Sequence, residues 1–146
     1  MSKPRMISAV LTPQSVEKLM LAIGKPKYNK VFAHHCTLAY NPTETQAQSI
    51  LDIVKAGDSV HIIPEYNIWN DGVEALVINT ILKYKSDKPD DFDYVYGMNK
   101  VPHITISTDG KPPKESNTLL SNMDKVPKNQ KEYFDYFGLD AIIQVE

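Results

Sequence analysis

Phe32-Ala33-His34-His35-Cys36-Thr37-Leu38-Ala39-Tyr40 and Val101-Pro102-His103-Ile104-Thr105-Ile106-Ser107 share one form. Each holds a histidine and a threonine two residues apart, with an aliphatic residue after the threonine. Both stretches read as β-strand. Side chains alternate faces along a strand, so His35 and Thr37 share one face and Cys36 and Leu38 the other. The same holds for His103 and Thr105 against Ile104 and Ile106. Each strand thus offers an imidazole beside a hydroxyl, anchored by apolar residues on the opposite face.

One His-x-Thr on a strand is a common accident, because threonine favours strands. Two copies in matching contexts, in a chain with only four histidines, are far more specific. Histidine, with an ordinary pKa of about 6.5, serves as base or acid near neutral pH. Threonine hydroxyls donate to phosphoryl oxygens. Two such strands facing each other supply the base, the acid and the donors for phosphodiester cleavage, with no cofactor and no metal ion.

Outward from the motifs, Met6 to Leu11 reads as a buried strand. Thr12-Pro13 resembles a cap followed by proline at the first helical position. Val16, Leu19, Met20 and Ile23 recur at helical spacing, and Gly24 fits the stop. Thr43 with Gln46 forms a capping-box pattern ahead of Ala47, Ile50, Leu51 and Val54, with Gly57 as the expected end of that helix. Ser59 to Trp69 reads as a strand broken at Pro64. Asn70-Asp71-Gly72 is a tight-turn signal, and Val73 to Leu82 is the return strand. Residues 83–100 are polar and turn-rich and read as a loop. Ser116 to Met123 reads as a short helix and Ala141 to Val145 as a last strand. The order predicts a single α+β domain over residues 1–146, with mainly antiparallel sheets and one motif in each half. A duplicated unit with a pseudo-two-fold cleft follows as an expectation.

A hydrophobic content of 42% with 23% charged residues is that of an ordinary globular domain. No run of 18 apolar residues predicts a membrane span. Met1-Ser2-Lys3-Pro4-Arg5 lacks the basic-then-apolar pattern of a secretion signal. Cys36 stands alone and pairs with no other cysteine, which is consistent with a reducing cytoplasm. The net charge of −2 lacks the basic excess of proteins that grip long nucleic acids. A small nucleotide ligand is expected instead.

Around this centre, Trp69 is either a platform for a nucleobase or hairpin packing. Tyr28 and Lys30, with Lys25 and Lys27, lie in the basic loop before the first motif and are further candidates for ligand contact. Tyr94 and Tyr96 belong to a segment able to cover a cleft. His34 next to His35 raises a zinc alternative. It is disfavoured, because neighbours on a strand point to opposite faces and no C-x-x-C or H-E-x-x-H occurs. Glycine-rich phosphate loops, G-x-S-x-G and the zinc-deaminase pattern are likewise absent from the sequence.

The two motifs, H-C-T-L and H-I-T-I, resemble the signature of the two-histidine (2H, LigT-like) phosphoesterase superfamily. The resemblance implies a bilobal α+β fold with a central cleft between two pseudo-symmetric lobes. It implies His35 and His103 as general base and acid and Thr37 and Thr105 as phosphate holders. Cys36 departs from the usual aliphatic residue, but a core cysteine behaves as a small hydrophobe. Compact size, charge, motif spacing and the segment Ile68-Trp69-Asn70-Asp71-Gly72-Val73-Glu74-Ala75-Leu76 are similar to the phage anti-CBASS nucleases of that superfamily. This implies cleavage of cyclic oligonucleotide messengers at 3′-5′ bonds, in the cytoplasm of a host cell. The alternatives are a 2′,3′-cyclic or 2′-5′ phosphodiesterase of RNA-end processing and a non-catalytic protein that sequesters a nucleotide.

Overall fold

The computed structural model describes residues 3–146. Met1 and Ser2, the start of the N-terminal segment considered above, lie outside the described residues. Strand β1 (Met6–Leu11) leads into helix α1 (Pro13–Ile23). The Thr12 side chain accepts from the Ser15 amide, and Gly24 closes the helix at φ 72°. Strand β2 (Lys30–Val31) and strand β3 (His35–Tyr40) follow. Helix α2 (Glu44–Leu51) starts with both hydrogen bonds of the Thr43/Gln46 capping box. It ends before Gly57, whose amide instead donates to Ile143 and holds the next turn against the end of the chain.

Strands β4 (Ser59–Asn70) and β5 (Val73–Tyr84) form the long hairpin. Asp71 and Gly72 both have positive φ, 50° and 79°, as a type I′ turn requires. The β4–β5 register shifts at Pro64, where proline withholds a ladder donor. Strand β6 (Phe92–Tyr94) interrupts the segment expected to be loop. It is three residues long and sits at the sheet edge, too short for an alternating pattern to register. Strand β7 (His103–Thr108), helix α3 (Ser116–Ser121), the equally short strand β8 (Lys131–Tyr133) and strand β9 (Leu139–Val145) complete the chain. Among the described residues no helix is long and apolar enough to cross a membrane.

The strands form one sheet, and every pairing is antiparallel. The path β7-β3-β1-β9-β4-β5 returns to β7 through a β5–β7 pairing, so six strands close a barrel. The expected α+β class and antiparallel sheet are present, and the two motif strands are neighbours within one continuous sheet. Cys36, Leu38, Leu76, Ile104 and Ile106 belong to the main core, with α1 and α2 packed on it through Leu19, Ile23, Ala47 and Ile50. Val73, Ala75 and Val77 project from the other face of β5 and pack with Leu119 and Leu120 of α3. Val73 through Ile78 is therefore buried on both faces, which makes β5 a nearly unbroken apolar run.

The exception in that run is Glu74, which is fully buried. Its carboxylate accepts from the Asn67 side chain (2.6 Å), the Ser107 hydroxyl (2.7 Å) and the Lys27 amide (3.0 Å). The Tyr28 amide in turn donates to the Ser107 hydroxyl. One carboxylate thus joins β4, β5 and β7 to the loop that enters β2. Removing it strands several buried donors at once. We expect Glu74→Ala to lower the unfolding free energy by roughly 2–4 kcal/mol in urea titration. A loss below about 0.5 kcal/mol, the ordinary surface value, would show that the network is not structural.

Candidate active site

The geometry of the site follows from how β2 and β3 lie along β7. Lys30 and Val31 pair with Thr108 and Ser107, and the Phe32 and Ala33 amides donate to the carbonyls of Ile106 and Thr105. On the far side, Cys36 pairs with Ile104. Position 33 therefore meets 105 while position 36 meets 104, which leaves His34 and His35 as extra residues. They form a bulge, entered through Ala33 at φ 45°. Bulges bend a strand and re-aim its side chains, and they recur beside active sites. The continuous strand expected over 32–40 is broken here for that reason.

The bulge also corrects the expectation that His34 and His35 point to opposite faces. Their rings lie 4.5 Å apart, and their Nδ1 atoms are 2.7 Å from each other. Strand alternation does not apply to a residue that precedes the strand proper. Beyond the bulge the alternation is regular. Cys36 is fully buried, and burial pushes its thiol pKa up to about 12, with the His103 backbone amide opposing. Thr37 faces the same side as His35.

His35, Thr37, His103 and Thr105 line a single cavity of about 540 Å³, within the ordinary size of a small-ligand site. The structure brings all four expected residues together. Burial lowers the pKa of His103, against the opposing hydrogen bond in which its Nδ1–H donates to the Val101 carbonyl at 2.9 Å. That bond fixes the tautomer, so in the neutral ring Nε2 is the unprotonated nitrogen. The pKa of His35 is also lowered, first by burial and then by the charge of His34, with Glu146 pulling the other way. Thr105 Oγ1 lies 2.8 Å from the hydroxyl of the buried Ser116 and donates to the Pro113 carbonyl at 3.2 Å. These contacts hold its rotamer.

The cavity wall includes residues with no motif to mark them: Phe32, Tyr40, Asn99, Lys114 and Asn117. Asn99 is fixed by donating to the Thr37 carbonyl at 3.2 Å, and the neighbouring Met98 amide donates to Leu38 at 2.7 Å. This seam needs glycine at position 97, where a β-carbon would lie 2.7 Å from the Leu38 oxygen. Trp69, Tyr28 and Lys30 do not line the cavity. Lys27 Nζ stands 4.3 Å from the Trp69 ring centre and covers that face of the indole. The Tyr28 backbone is tied to Ser107. Lys30 lies behind Phe32, 5.7 Å from its ring centre. Among the described residues no three His, Cys, Asp or Glu side chains gather as a metal site would require.

Closed antiparallel barrel, paired His-x-Thr strands and one shared cavity define a two-histidine phosphoesterase. Residues 25–140, which contain both motifs, match the family model described as the fungal tRNA ligase phosphodiesterase domain. The chain belongs to that family and is a phosphodiesterase of the two-histidine class. A crystal structure of a fungal RNA kinase has the same fold, with a TM-score of 0.58 at 15% identity. The likeness covers 99% of this chain and 45% of that one, so this chain spans less than half of that protein. No curated protein matches the sequence.

The paired imidazoles make a prediction that does not depend on substrate. His34→Ala removes a neighbouring charge that lowers the His35 pKa, so the His35 midpoint should rise toward 6.5 in an NMR titration. The His103 midpoint should stay where it is. A His35 midpoint that does not move would mean that the two rings are not electrostatically coupled, and one that falls would mean that the hydrogen bond to His34 outweighs its charge.

Proposed function

We propose that this domain opens the 2′,3′-cyclic phosphate at an RNA end, without a metal ion, using His103 as general base and His35 as general acid. The observation that carries the reading is the convergence of both motifs on one cavity. The family match supports the RNA-end substrate. His103 Nε2, kept neutral by burial and oriented through Val101, takes a proton from water as the water oxygen attacks phosphorus. The bond from phosphorus to one ribose oxygen breaks. His35, protonated on Nε2, gives its proton to that oxygen, while its Nδ1–H donates to His34. The product is an acyclic phosphomonoester. Thr37 and Thr105 donate to the non-bridging oxygens. For Thr105 the hydroxyl proton swings from the Pro113 carbonyl to the phosphate, while its oxygen accepts from the Ser116 hydroxyl.

A second reading keeps the residues and changes the nucleophile. A ribose 2′-hydroxyl of a cyclic oligonucleotide, deprotonated by His103, attacks the adjacent 3′-5′ phosphate; the bond from phosphorus to the 5′-oxygen breaks, His35 protonates that oxygen, and a 2′,3′-cyclic phosphate remains. Supporting it are the likeness of residues 68–76 to the phage anti-CBASS nucleases and a net charge suited to a small ligand rather than a polymer. In that role the protein would counter antiviral nucleotide signalling.

One digest in EDTA separates the two. Its substrates are a 2′,3′-cyclic mononucleotide, a short RNA ending in a cyclic phosphate, 3′,3′-cyclic dinucleotides, a cyclic trinucleotide and a 2′-5′ oligoadenylate. We expect hydrolysis of the cyclic phosphates. Cleavage confined to the cyclic oligonucleotides, abolished in a 2′-deoxy analogue, would replace the first reading with the second. His35→Ala and His103→Ala should each lose about 10²–10⁴-fold in kcat. Retained activity in either variant would remove that histidine from the mechanism.

The pH profile is a separate test. The base works above its pKa and the acid below its own, and both values lie under 6.5. The bell-shaped kcat/KM should therefore peak on the acidic side of pH 6.5. A plateau extending to pH 8 would contradict a protonated His35 as the acid.

A further inference from the structure

Next to the catalytic cavity lies a second one of about 520 Å³. Asn99 and Asn117 line both, so the two cavities adjoin at these residues. The second cavity has apolar walls from Val101, Leu120 and Met123 and polar groups from Lys100, Ser121 and Asp124. That mixture suits a nucleoside, with apolar surface for the base and ribose and donors and acceptors for the edges. Lys100 is exposed and adjoins Asn99, where it can meet a phosphate joining one nucleoside to the next. Val101 lines the second cavity, and its carbonyl orients His103 in the first.

We propose that these adjoining cavities bind two linked nucleosides, with the reacting phosphate among the His and Thr residues and the neighbouring nucleoside in the cavity of Lys100, Ser121 and Asp124. The preferred substrate is then at least a dinucleotide. This rests on the phosphodiesterase reading above and adds a length requirement to it. Two linked nucleosides occur both in a linear RNA end and in a cyclic dinucleotide, so both belong in the test.

The experiment compares kcat/KM for a 2′,3′-cyclic mononucleotide, a linear dinucleotide ending in a 2′,3′-cyclic phosphate, and a 3′,3′-cyclic dinucleotide. Wild type, Ser121→Trp and Lys100→Ala are assayed together. Burial of the second base against Val101, Leu120 and Met123 should make one two-nucleoside substrate exceed the mononucleotide by about tenfold or more. Ser121 is exposed, and the indole at its position fills the second cavity and should bring the ratio close to one. Lys100→Ala should reduce the ratio less, and the reduction should shrink as salt rises. Whichever two-nucleoside substrate shows the preference identifies the source.

Equal turnover of one-nucleoside and two-nucleoside substrates by wild type would overturn the proposal. So would a Ser121→Trp variant that lowers both in proportion. If wild type turns over none of the three, the phosphodiesterase reading fails and the proposal falls with it. A mononucleotide that is hydrolysed without any length preference sinks only the proposal.

Discussion

The pairing of Cys36 with Ile104 is the contact on which the site depends. Both side chains are fully buried in the main core, so the hydrophobic effect fixes which face of each strand turns inward. A slip of one residue on either strand would send a histidine and a threonine into the core and an apolar residue into the cavity. The arrangement of four polar groups is thus set by two apolar ones. Burial holds the thiol at this position protonated, so it acts as a small apolar residue of the core.

Two further constraints aim the catalytic face. The bulge at His34–His35 turns the first histidine, and the Asn99 and Gly97 seam pins the following loop along β3. On the other motif the Val101 carbonyl and the Ser116 hydroxyl settle the orientation of His103 and Thr105. Glu74 stands further back. It ties the loop before β2 to three strands through its two carboxylate oxygens, and so fixes where the first motif strand begins. A buried carboxylate persists where its oxygens are hydrogen-bonded, and here the donors come from three other segments of the chain.

Much of the local structure was legible from the sequence because its signals are short-range. Thr12-Pro13 and Gly24 bounded the first helix, Thr43 and Gln46 capped the second, and Asn70-Asp71-Gly72 marked the turn. The motif residues were legible because alternation on a strand is a two-residue rule. What stayed hidden depends on contacts between distant segments. His34 reads as pointing away from His35 until the register with β7 shows two surplus residues. Glu74 reads as one charged residue in a strand. Asn99, Lys114 and Asn117 carry no pattern, and only the closure of the sheet brings them to the cavity. Trp69 and Tyr28, singled out for their chemistry, lie elsewhere because chemistry alone does not place a side chain.

The circular sheet also has a consequence for how the protein acquires function in time. β7 pairs with β5 on one edge and with β2 and β3 on the other, and its pairing with β3 brings the two histidines together. Pairings between segments this far apart in sequence form late, after the entropy of closing long loops has been overcome. The two histidines come within one cavity only at that event. A partly folded chain can hold its helices and its long hairpin and still be inert. Recovery of turnover after denaturation therefore serves as a clock for the β3–β7 pairing, whereas circular dichroism would follow the earlier, local steps.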